Sequence, residues 1–291
     1  MVLTTVAGFI MGAPPEALDW RRLLLTAFGT ALAAAGANAL NQLAEMRRDA
    51  LMVRTRGRPL PSGALRPAHA LLFAMLSAYA GLALLGLAVN LASAALALAT
   101  ILVYMLVYTP LKTRTTLNTL VGAVCGAIPP AIGWVAAAGR LEPGAWLLAA
   151  LLFVWQIPHF FALAWMYRAD YARGGFAMLP VLDRSGRLTG QVAVITALAL
   201  VPASLSATLL GLAGWVYAAG SIVLGTWLAG AGARLYATRS DASARRLFLT
   251  SIAYLPLLLC LMVADRRPPL PGVAPPAAAA MAGYAPLDRM P

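Results

Sequence analysis

Asn41, Glu45 and Asp49 stand four residues apart in the run NQLAEMRRD. At about 100° per residue on a helix, this spacing keeps all three on one face. Together they offer an amide oxygen and two carboxylates, an all-oxygen donor set. Mg2+ favours oxygen donors and is commonly held by one or two carboxylates plus substrate phosphates. A plainer reading stays open, in which Glu45 and Asp49 balance Arg47 and Arg48 on a wet helix end. The chain continues as MVRTRGRPLPSG, with Arg54, Arg56 and Arg58 on alternate positions and Pro59 and Pro61 behind them. Proline lacks a backbone donor and disfavours helix in the residue before it, so no helix should run through this stretch. Guanidinium forks beside a metal-binding face suit a diphosphate. Taken alone, the arginines are equally explained by anchoring to the cytoplasmic membrane surface.

Further polar positions recur later in the chain. Asp170 follows an apolar run, with Tyr171 and Arg173 beside it and Gly174-Gly175 breaking the helix. Lys112 and Arg114 lie in YTPLKTRTT, between two other apolar runs. Arginine and lysine neutralise phosphate oxygens, and carboxylates reach the same oxygens through Mg2+, so a metal–diphosphate complex calls for both signs at one place. His159, in QIPHFF, falls inside an apolar run, where an ionisable residue is a functional candidate. Its plainer reading is a hydrogen-bonded residue beside the Pro158 kink. His69 reads as an interface residue, and Trp134, Trp155, Phe160 and Trp165 as packing or belt residues.

The frame that must position these residues is apolar. Of 291 residues, 61% are hydrophobic and 11% charged, with a mean hydropathy of +0.79. A soluble domain carries about 25% charged residues. Apolar segments at 2–12, 22–44, 68–88, 90–109, 119–138, 145–166, 189–212, 214–232 and 247–264 follow one another. Most have the roughly 20 residues that a helix needs to cross a bilayer, and backbone in lipid must bond internally. The fold class is therefore all-α, a polytopic membrane bundle of about nine helices. The first segment is too short for a span, which predicts an internal start codon and a truncated first helix. A single membrane domain is expected over 1–265, followed by a Pro/Ala-rich disordered tail over 266–291.

The loops 45–67, 110–118, 167–188 and 233–246 hold 16 of the 22 basic residues, which places them in the cytoplasm and the C-terminus outside. The net charge of +12 thus reads as membrane orientation and not as nucleic-acid binding. Cys125 and Cys260 lie in apolar runs and read as packing residues.

Asn41-xxx-Glu45-xxx-Asp49 followed by Met52-x-Arg54-Thr55-xx-Arg58-Pro59-Leu60 resembles the first motif of the UbiA superfamily of membrane-embedded prenyltransferases. RTxxRPLPSG, YTPLKTRTTLNTLVGAVCGAIPPAIGW and WQIPHFFALAWMYRADYARGGFAMLPV are similar to the signatures of its heme-farnesylating branch. The resemblance runs over most of 2–264. It implies nine helices around a central cavity open to the cytoplasm. It implies a first Mg2+–diphosphate site at Asn41, Glu45 and Asp49 and a second at Asp170, with Arg54, Arg58, Lys112 and Arg114 on phosphate oxygens. Farnesyl diphosphate and heme B would be the substrates, heme O the product and Mg2+ the cofactor, with His159 a candidate heme contact through the iron or a propionate. The bilayer would be a bacterial inner membrane, with heme A synthase or oxidase assembly proteins as neighbours. Two departures stand out: Glu45 takes a position where many members carry Asp, and the first helix lacks its first half. Competing readings are a superfamily member acting on an aromatic or quinone precursor, an ion-coupled secondary transporter and a structural assembly factor. The last two do not call for acids at helix ends with metal-type spacing.

Overall fold

Short polar residues mark where the apolar runs become helices. Asp19, Asn90 and Ser240 each accept a hydrogen bond from a backbone N–H three residues on, which satisfies a donor the first helical turn leaves open. Pro67 and Pro143 open two further helices at the position where a missing N–H costs nothing. Gly139, at φ +77°, closes another helix in a conformation that favours glycine.

The computed structural model describes residues 1–14, 16 and 18–267. The helices are α1 (Val2–Gly12), α2 (Trp20–Asp49), α3 (Pro67–Ala88), α4 (Leu91–Leu111), α5 (Asn118–Ala138) and α6 (Pro143–Met166). Two short helices follow, α7 (Arg168–Arg173) and α8 (Leu179–Leu182), and then α9 (Arg187–Leu209), α10 (Trp215–Thr238) and α11 (Asp241–Ala264). Eight of them are long and apolar enough to span a membrane, and α1 is a shorter apolar helix. This is the expected series with a short first member. Among the described residues, the β pairing is one isolated bridge between Ala213 and Arg266. From 268 onward, the tail expected to be disordered lies outside the described residues.

Small residues let the helices approach closely, as membrane helices commonly do. A Cβ on Gly81 of α3 would sit 2.4 Å from the Ala33 nitrogen of α2. A Cβ on Gly133 of α5 would sit 1.9 Å from the Thr5 carbonyl oxygen of α1. One core gathers Ala33, Ala37, Leu85, Ala97, Ile101 and Ile132 between α2, α3, α4 and α5. A larger one runs through α6, α9, α10 and α11, with Leu200, Tyr217, Leu228 and Tyr254 fully buried. Cys125 is buried as expected, whereas Cys260 is exposed on the outer surface of α11.

Hydrogen bonds between loops show which helix ends meet. At one end Ala177 N donates to Lys112 O, the Val53 amide to Asp170 and Trp165 to Asp241. At the other, Arg22 donates to Val89 O, Arg266 to Ile10 O and Gly214 N to Asp265 O. The loops expected to share one membrane side therefore do share one end of the bundle.

Candidate active site

α2 runs on past its apolar stretch to Asp49, which carries Asn41, Glu45 and Asp49 on one buried face, at 8%, 7% and 2% exposure. Asn41 Nδ2 donates to Thr109 Oγ1 at 3.1 Å, and its Oδ1 accepts from the Tyr104 hydroxyl at 3.3 Å. Beyond Asp49 the chain turns back on itself. Thr55 Oγ1 donates to the Asp49 carbonyl at 2.9 Å, and Arg58 Nη1 meets Asp49 Oδ2 at 2.8 Å. The loop with its prolines thus folds Arg58 onto the helix face that precedes it.

Lys112 reaches the same face from the end of α4. The last turns of that helix widen into a π segment, Val103–Tyr108, a form frequent at functional sites. Lys112 Nζ donates to Glu45 Oε2 at 3.0 Å and lies over the rings of Tyr108, 4.5 Å from its centroid, and Tyr104, at 5.8 Å. Burial pulls the Lys112 ammonium below its ordinary pKa, and the Glu45 carboxylate opposes that shift. Glu45 Oε1 lies 2.8 Å from the same nitrogen as an ion pair, and it is buried without a hydrogen bond.

That orphaned oxygen, the Asp49 carboxylate and the Asn41 amide oxygen make a donor set that fits Mg2+. Among the described residues, no three His, Cys, Asp or Glu side chains gather closely enough to enclose an ion. An ion on this face would take its remaining ligands from outside the protein, as Mg2+ does with substrate phosphates.

Asp170, buried at 7% exposure, sits on α7 and forms no joint set with Glu45 and Asp49. It clamps the loop after α2, accepting from Val53 N at 3.1 Å and Arg54 N at 3.2 Å, and it pairs with Arg173. Burial alone would raise its pKa, but Arg173 and the two backbone amides together hold it below the ordinary carboxylate value. The clamp places the Arg54 guanidinium over Tyr167, at 5.0 Å, and near Tyr171, at 5.9 Å. Arg48 adds a second tie through Gly174 O at 3.0 Å. Arg114 is exposed, and no ion pair holds it among the described residues. The structure therefore gathers Asn41, Glu45, Asp49, Arg58 and Lys112 directly, brings Asp170 to their loop and leaves Arg114 at the rim.

Sequence reasoning missed Tyr104 and Tyr108. Tyr104, Tyr108 and Lys112 share the four-residue spacing of Asn41, Glu45 and Asp49, and that echo was the available signal. Trp134 and Trp165 are buried and donate to Glu142 and Asp241, as packing residues would. His159 lies apart from the acids, half-buried on α6 against α11. Its ring stacks between Trp155 and Phe248, at centroid distances of 5.0 and 4.9 Å, with Nδ1 2.9 Å from Ser251 Oγ.

Comparison with known proteins places this arrangement in a family. The model of the UbiA prenyltransferase family matches residues 1–284. A protein of Solibacter usitatus (strain Ellin6076) named protoheme IX farnesyltransferase is 45% identical over 274 residues, covering 91% of this chain and 94% of that protein. The fold is similar to that of a structure described under the biosynthesis of digeranylgeranylglyceryl phosphate synthase in membranes. That likeness has a TM-score of 0.75 at 17% identity, over 91% of this chain and 92% of the other. It is also similar to a UbiA homolog from Archaeoglobus fulgidus bound to GPP and Mg2+, with a TM-score of 0.60 at 14% identity, over 90% and 94% of the two chains. The chain is a multi-pass membrane protein of the UbiA prenyltransferase family.

Proposed function

We propose that this protein transfers the farnesyl group of farnesyl diphosphate to a vinyl group of heme B, giving heme O. The observation that carries the reading is the pairing of buried acids with bases at one end of the bundle, Glu45 with Lys112 and Asp49 with Arg58. It is joined by the likeness to a relative named protoheme IX farnesyltransferase. The protein sits in a bacterial inner membrane with this end facing the cytoplasm, in keeping with the basic loops there.

Each cation on the acid face has a second use. Arg58 and Lys112 turn from carboxylate to phosphate oxygens when the diphosphate arrives, and Arg54 and Arg114 close on it from the loops. Asn41, Glu45 and Asp49 then face the diphosphate as free oxygen donors, and Asp170 holds the Arg54 loop in place. Asn41, Glu45 and Asp49 would hold Mg2+, which would supply neutralisation of the charge on the leaving diphosphate. The C1–O bond of farnesyl diphosphate breaks, with its electron pair leaving on the diphosphate, whose charge the bases stabilise. The vinyl π pair of heme B forms the new C–C bond to C1. Water adds to the cation left on the former vinyl group, and its proton passes to the released diphosphate. No side-chain nucleophile is required.

The proposal is tested by expressing the chain in a bacterial host that makes only heme B and separating the extracted hemes by chromatography and mass spectrometry. A new heme heavier by a hydroxylated farnesyl group supports it. Heme B alone, from cells in which the protein is inserted and folded, contradicts it.

A further inference from the structure

The Ser251 hydroxyl has one proton, and the heavy-atom geometry assigns it to a carbonyl. Ser251 Oγ donates to the Phe248 carbonyl oxygen at 2.6 Å, a strong hydroxyl hydrogen bond one turn back on α11. The same oxygen lies 2.9 Å from His159 Nδ1. With its proton committed, it can only accept there. The donor must then be His159 Nδ1–H, and in a neutral imidazole this leaves Nε2 with a bare lone pair.

The surroundings hold that arrangement. Ser251 is fully buried, and Trp155 Nε1 donates to its carbonyl at 2.9 Å, tying α6 to α11 at this level. Trp155 and Phe248 both stack on the imidazole, at interplanar angles of 22° and 26°, which favours this ring orientation with Nδ1 toward Ser251. Nε2 is not among the buried polar atoms that lack a partner. It sits on the edge of the ring away from Ser251, on a residue that is only half-buried. His159 also lies seven residues before the end of α6 at Met166, about 10 Å along the helix at roughly 1.5 Å per residue.

We propose that His159 is the axial ligand of the heme iron, through Nε2, and that Ser251 is the positioning residue that fixes this tautomer. The inference rests on heme B being the acceptor substrate. It separates two ways in which a histidine meets heme. A propionate needs an N–H donor, which Nε2 does not carry, and its carboxylate would be repelled by the lone pair. Iron needs that lone pair, and a ligating histidine ordinarily donates its other ring N–H to an oxygen that fixes its orientation. Ser251 Oγ is that oxygen. Holding the iron, His159 would fix the position of the heme relative to the acids at the end of the bundle.

The chain holds two histidines, so 15N-histidine labelling of the full-length His69→Gln protein isolates the His159 signals. The 15N shifts are expected to show a protonated Nδ1 and a bare Nε2, and Ser251→Ala should mix the two tautomers. A dominant Nε2–H form in the otherwise native protein overturns the inference. Ferric heme B is then titrated into the purified protein and followed by absorption and electron paramagnetic resonance. The native protein should give a histidine-ligated iron signature. His159→Gly should lose it and regain it with added imidazole. Ser251→Ala should weaken heme binding by about tenfold, as removal of an outer hydrogen-bond partner does. An iron signature unchanged in His159→Gly overturns the ligand assignment while leaving heme as substrate. Absence of heme binding by a protein with the expected tautomer defeats the substrate reading itself, and the iron assignment with it.

Discussion

Lys112 Nζ lies 3.0 Å from Glu45 Oε2 and 2.8 Å from Oε1, although 67 residues separate the two positions. Both side chains are 9% exposed. Removing one partner of such a pair strands a buried charge, at a cost of about 3–5 kcal/mol. Lys112→Met should therefore lower the unfolding temperature in detergent clearly, and the Glu45→Gln/Lys112→Met double variant should recover most of that loss. Neither variant should transfer prenyl groups. A double variant no more stable than the single one would mean that the pair is not coupled.

Asp49 is placed to act through charge. Asp49→Ala should reduce transfer by about 10²–10³-fold, the range for loss of one charge-stabilising group. Its insertion and circular dichroism should stay native, because Thr55 ties the return loop through the Asp49 backbone carbonyl. Asp49→Asn should in addition require more Mg2+ for half-maximal rate. Normal turnover by a folded Asp49→Ala protein would remove this residue from the site.

Asp170 should give an acid-dependent stability. Its folded pKa lies below the ordinary 3.8, held there by Arg173 and the amides of Val53 and Arg54 against the effect of burial. A depressed carboxylate contributes stability that is complete above the unfolded value and is lost as pH falls through the folded one. The stability gap between the native protein and Asp170→Asn should be constant at neutral pH and close only below pH 3.8. Thermal unfolding across a pH series measures it. A gap that does not change with acid would show that the ionised form does not hold the clamp.

The docking of α1 should depend on Gly133. A methyl there would meet the Thr5 carbonyl oxygen at 1.9 Å, whereas one on Gly230 would meet nothing within 4 Å. Gly133→Ala should cost about 1–3 kcal/mol, the range for overpacking. Gly230→Ala should leave unfolding unchanged. Equal stability of the two variants would mean that α1 is not held where it lies.

The helical frame was legible because a bilayer imposes it. Runs such as 68–88 and 119–138 reappear as α3 and α5 within a residue or two at each end. The acid face was legible too, since Asn41, Glu45 and Asp49 are local in sequence and a four-residue period maps directly onto one helix face. What stayed hidden was long-range. Nothing in sequence says that Lys112 turns inward to Glu45 while Arg114, two residues on, stays at the rim. Nor does it say that Asp170 spends its carboxylate on the backbone of Val53 and Arg54 and stays out of the Glu45–Asp49 set. Both outcomes depend on how loops from different helix pairs meet. The partner of His159 was hidden for the same reason, since Ser251 lies 92 residues away and is one serine among many.

The most direct measurement is product formation by the purified protein. It would be incubated in detergent with heme B, farnesyl diphosphate and Mg2+, beside an EDTA control, and the hemes analysed by mass spectrometry. The account predicts heme O in the first sample and none in the second. Heme B unchanged in both, from a folded protein that converts an aromatic prenyl acceptor under the same conditions, would contradict it.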